Sequence, residues 1–125
     1  MAPAAVLRDN IIVGDFFGVS FDPKNPPEYI DIGEGLRVGK NYLVTAQTLK
    51  IYETAEKFQG PALIVHGIAD KLVPYGYGLR YRDIYKNSRI ELLPNLSHDF
   101  TNNGFTKSVE RTAKIVSDFF VQQLK

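Results

Sequence analysis

The chain has 125 residues, about one domain's worth, with 44% hydrophobic and 23% charged residues, ordinary values for a globular fold. Fifteen basic against fourteen acidic residues leave a formal charge of +1, which argues against a nucleic-acid binder, and seven Tyr with eight Phe argue against a disordered chain. No run approaches the roughly 18 apolar residues of a membrane span, and the lack of cysteine excludes disulfides, thiolate nucleophiles and Cys-based zinc sites.

No period of 20 to 50 residues recurs. Residues 1 to about 41 are irregular, punctuated by Asp22-Pro23-Lys24-Asn25-Pro26-Pro27 and Gly33-Glu34-Gly35. That texture predicts neither a long helix nor a tidy strand, only short strands around Ser20-Phe21 and Tyr29-Ile30-Asp31-Ile32. Its apolar residues, Ile11 to Val13, Phe16, Phe17, Val19 and Phe21, are too many for a linker.

From Asn41, a plausible N-cap, apolar residues recur at helical spacing through Phe58, and Gln59-Gly60-Pro61 stops the helix. Pro61-Ala62-Leu63-Ile64-Val65-His66-Gly67 reads as a strand buried on both faces, the mark of a parallel sheet. Val73-Pro74 opens a second helix, with Tyr77, Tyr81, Ile84 and Tyr85 on its apolar face. Arg89 to Pro94 alternates like a strand nearer an edge, and Asn102-Asn103-Gly104 makes a turn. A last helix from Phe105 to Leu124 carries Phe105, Val109, Ala113, Val116 and Phe120 on one stripe. Helix, strand, helix, strand, helix predicts an α/β fold with right-handed crossovers.

In such sheets the active groups sit beyond the carboxyl ends of the strands. Asp70 follows the first clear strand by three residues, and His98 follows the second by four. Parallel neighbours are about 4.8 Å apart, so loops leaving both strands at one end bring a carboxylate to an imidazole. An Asp that accepts Nδ1–H fixes the tautomer in which Nε2 takes a proton. His66 reads as a structural histidine. No His-x-x-x-His spacing supports a zinc site from His66, His98 and Asp70, and neither Gly33-Glu34-Gly35 nor Gly76-Tyr77-Gly78 completes a phosphate loop. No metal or other cofactor is expected. Ser97 adjoins His98 and is ill placed for in-line proton transfer, which makes it a loop hydroxyl.

The order Asp then His is that of the α/β-hydrolases, whose triad runs Ser, Asp or Glu, His. Pro61 to Pro74 resembles that family's seventh strand and acid loop, and Leu96-Ser97-His98-Asp99-Phe100 resembles its histidine loop. Across residues 2 to 125 the chain is similar to one branch, the bacterial feruloyl and cinnamoyl esterases. The resemblance implies a partial α/β-hydrolase fold: residues 1–5 as the end of a sheet strand, 6–41 as a lid, and 42–125 as the C-terminal part of the core. It implies that Asp70 and His98 are triad members. Phe16, Phe17 and Phe21 are lid core or the lining of an acyl pocket. Phe17 stands where the branch would place a polar side chain before Gly18 to meet a phenolic hydroxyl.

The pentapeptide Gly-x-Ser-x-Gly of a nucleophile elbow is missing. Gly18-Val19-Ser20-Phe21-Asp22, the nearest string, lacks the second Gly. The chain thus reads as the acid–base and lid half of a serine carboxylic-ester hydrolase, inactive alone, in the cytoplasm. The alternatives are the same half of a peptidase-like relative, or a non-catalytic module that binds a small molecule or a partner. Expected partners are an ester substrate in the complete enzyme and a second copy or a complementary N-terminal half, with no nucleic acid and no membrane.

Overall fold

Residues in the left-handed region shape the turns between positions 14 and 35. The computed structural model describes residues 5–102 and 105–125; the strand end expected at Ala2-Pro3-Ala4 and the turn at Asn103-Gly104 lie outside them. Two compact units form, one ending at Ile51 and the other covering Tyr52–Lys125.

In the first unit a short helix, α1 (Ala5–Ile12), buries Ala5, Val6 and Ile11. Gly14 ends it at φ 80° and receives the Phe21 N–H on its carbonyl at 2.8 Å. A Cβ at Gly14 would strike the Phe21 carbonyl, so only glycine fits. Phe17 and Gly18, at φ 51° and 79°, then turn β1 (Asp15–Phe16) onto β2 (Val19–Ser20), two positive φ angles in succession as a tight hairpin requires. A second hairpin pairs β3 (Tyr29–Asp31) with β4 (Arg37–Gly39) around Gly33-Glu34-Gly35, all three at positive φ. The helix α2 (Lys40–Gln47) follows. Ile11, Phe16, Ile30, Leu43 and Ala46 form the core of this unit, with Leu7, Val19, Phe21, Ile32 and Val38 packed around it.

The single helix expected from Asn41 to Phe58 is two. Thr48 caps α2, its N–H and its hydroxyl both turned back to the Thr45 carbonyl, and α3 (Ile51–Ala55) restarts after Lys50. A Ser or Thr hydroxyl that bonds a preceding carbonyl competes with helix continuation, which the spacing of apolar residues does not reveal.

In the second unit β5 (Ala62–Gly67) and β6 (Ser88–Leu93) run parallel, Ala62 opposite Ser88 and Gly67 opposite Leu93. The connecting helix α4 (Gly76–Ile84) begins one turn later than Val73-Pro74 suggested, because Val73 is held in the preceding loop by polar contacts. β5 is buried only at His66 and Gly67; Ala62 to Val65 are half-buried, where burial on both faces was expected. Among the described residues β5 pairs with β6 alone. The closing helix α5 (Phe105–Gln123) corrects the expected stripe. Thr112 and Phe119 are buried and Ile115 and Val116 half-buried, whereas Val109, Ala113 and Phe120 are exposed. Apolar residues lie on two faces of α5, and the sheet takes the face led by Phe119.

Candidate active site

Backbone contacts bring the two loops at the carboxyl ends of β5 and β6 together. The Ile68 N–H donates to the Leu93 carbonyl and the Ala69 N–H to the Leu96 carbonyl, both at 3.0 Å. Gly67 sits where they touch: a Cβ there would run into the Leu96 carbonyl and crowd that of Ser97. The Gly that closes β5 is therefore a requirement of loop approach rather than of backbone dihedral.

That approach places Asp70 against His98. The Asp70 side chain is 5% exposed and that of His98 39%, and His98 Nδ1 lies 2.9 Å from Asp70 Oδ2. Oδ1 accepts the Leu72 N–H at 2.9 Å and the Val73 N–H at 2.8 Å. Burial by itself raises the Asp70 pKa. The Val73 N–H, the His98 ring and the Leu72 N–H together outweigh it and hold the carboxyl below its ordinary value. An ionised carboxylate only accepts, so Nδ1 carries the hydrogen and Nε2 keeps its lone pair for an incoming proton. The sheet thus sets an oriented base beside a fixed anion.

The histidine loop is braced from within. Asn95 and Phe100 both adopt φ 60°. The Ser97 N–H donates to the Thr101 carbonyl at 3.0 Å, and the Phe100 N–H to the Ser97 carbonyl at 3.1 Å. Asp99 accepts from the Ser97 hydroxyl, from the Thr101 hydroxyl at 2.7 Å and from the Thr101 N–H at 3.3 Å. The Ser97 hydroxyl first, then that of Thr101, draw the Asp99 pKa down to about 2. Composition and spacing did not reveal this bracing, although Ser97-x-Asp99-x-Thr101 is the pattern of short polar side chains that cap their own turns.

His66, on β5, is buried against the acid loop, with Nε2 2.8 Å from the Val73 carbonyl and 3.5 Å from Asp70 Oδ2. Among the described residues no group of three His, Cys, Asp or Glu side chains is arranged to hold a metal ion. The three phenylalanines singled out in the sequence belong to the other unit. Phe16 is a core residue, 4% exposed, Phe21 is packed against that core, and Phe17 projects with 61% exposure from the β1–β2 turn, its ring edge-on to Phe16.

No family model matches the chain, and no curated protein does. Solved structures do. Est1E from Butyrivibrio proteoclasticus is 30% identical over 98% of this chain and 48% of its own, with a TM-score of 0.85. Est1E with ferulic acid bound gives the same identity and TM-score over 98% of this chain and 47% of its own. The chain therefore spans about half the length of the solved structures it matches. No described helix is long and apolar enough to cross a membrane. Parallel strands joined by a helix, together with this likeness to an esterase, give the chain a partial α/β-hydrolase fold, similar to the C-terminal half of that enzyme.

Proposed function

We propose that the chain is the acid–base and lid half of a serine carboxylic-ester hydrolase. The observation that carries this reading is the 2.9 Å contact between a buried Asp70 and a part-exposed His98 at the carboxyl ends of adjacent parallel strands. His98 Nε2 takes the proton of a serine hydroxyl as that oxygen attacks the ester carbonyl, then returns it to the departing alcohol. Asp70 holds the ring in the Nδ1–H tautomer and stabilises the imidazolium between those steps. The serine and the oxyanion-binding N–H groups come from polypeptide other than these residues. The likeness to an Est1E structure that holds ferulic acid supports an aromatic acyl group as substrate. The lack of cysteine fits work in the cytoplasm.

Joining this chain to the half of Est1E that it does not match, and assaying methyl ferulate and a nitrophenyl ester, tests the reading. The joined enzyme should turn over both, and His98→Ala should cost about a thousandfold or more in kcat. Turnover that survives His98→Ala would contradict it.

A further inference from the structure

His66 takes no part in the proton transfers above, yet on β5, at the start of the acid loop, it is almost as deeply buried as the Asp70 side chain. Its side chain is 6% exposed. A carbonyl only accepts, so the 2.8 Å contact with Val73 puts the hydrogen of His66 on Nε2. The same N–H lies 3.5 Å from Asp70 Oδ2, the oxygen that also meets His98. Val73 is thus gripped twice: its N–H donates to Asp70 Oδ1 and its carbonyl accepts from His66. On the far side of the ring, a Cβ at Gly78 would stand 2.9 Å from His66 Nδ1, so α4 packs close against the imidazole. That packing holds the ring with Nε2 turned toward the loop.

The geometry points to His66 as a positioning residue for the Asp70 carboxylate. Its Nε2–H closes the loop on Val73 and keeps Oδ2 aimed at His98, so that His98 stays in the Nδ1–H tautomer. The inference rests on the proposed acid–base role of that pair but is read without ester hydrolysis. The two histidines of the chain then carry their hydrogens on opposite nitrogens, His66 on Nε2 and His98 on Nδ1.

Two-bond nitrogen–proton correlation spectra of the full chain at about pH 9, above the ordinary imidazole range, report each tautomer directly. The parent chain should show the two opposite patterns. His66→Met keeps bulk and removes the donor; the Nδ1–H share of His98 should fall to about half or less as the carboxylate is released. His66→Gln keeps a donor at similar reach and should restore the parent pattern at His98. A His66 protonated on Nδ1 in the parent chain overturns the proposal without recourse to any variant. A His98 tautomer unchanged in His66→Met also overturns it, since a space-filling histidine would behave that way. A joined enzyme without esterase activity would count against the proposed function and leave these spectra to be read as they stand.

Discussion

Asp70 and Asp99 stabilise neighbouring loops by the same means, a carboxylate that gathers N–H and O–H donors. Both have folded pKa values below the ordinary 3.8. A depressed carboxylate contributes stability in full above its unfolded pKa and loses it as the pH falls through the folded one. Unfolding midpoints should therefore drop as the pH is lowered from about 4 toward about 2, the value of Asp99. Asp99→Asn should flatten that decline, as denaturant titrations at several pH values will show; an undiminished acid limb would contradict the bracing role. Gly67→Ala offers a test by contact. The new methyl group meets the Leu96 backbone, which cannot rotate away as a side chain would. We expect a loss of about 2–4 kcal/mol, measured by urea unfolding, together with a displaced His98 side-chain signal. A loss within about 0.5 kcal/mol, typical of surface substitutions, would mean that the two loops do not approach so closely.

At the scale of elements, α5 separates packing from mere hydrophobicity. Phe119 and Phe120 are chain neighbours with ring centroids 5.7 Å apart, yet Phe119 is 9% exposed and Phe120 61%. Truncating the first to Ala should cost about 3–5 kcal/mol, and truncating the second under about 1 kcal/mol. Equal losses would show that α5 sits in another rotation. The same pair shows why the helix face was not legible in the sequence. Val109, Ala113 and Phe120 continue a stripe as regular as the one led by Phe119, and only the sheet decides between them. The strands β5 and β6, and the meeting of Asp70 with His98, were legible because they depend on short-range features: an apolar run, a closing Gly, and a loop of few residues at each strand end. α1 and the β1–β2 hairpin were not. An eight-residue helix without an acidic first turn gives little signal, and the hairpin turns on Phe17 in a left-handed conformation that its residue type disfavours.

For the molecule as a whole, exposed apolar surface bears on association. An apolar groove of about 420 Å³ lies beside β5, lined by Phe58, Pro61, Leu63, Tyr85, Phe119 and Phe120 among others. Among the described residues β5 has one strand partner, and parallel sheets are ordinarily covered on both sides. Exposed strand edges and large apolar faces recruit other chains. The chain is accordingly expected to self-associate or to require a complementary N-terminal half. Sedimentation velocity at micromolar concentration should show species heavier than 14.1 kDa. A monodisperse 14.1 kDa species with unfolding independent of concentration would contradict that expectation.

The most direct test uses the chain by itself with a nitrophenyl ester. An oriented Asp70–His98 pair without a nucleophile elbow in these 125 residues should hydrolyse the ester at about the rate of free imidazole, with no burst of acyl-enzyme. A burst that disappears on Ser97→Ala or Ser20→Ala would place the nucleophile within these 125 residues and contradict the reading of the chain as the acid–base half.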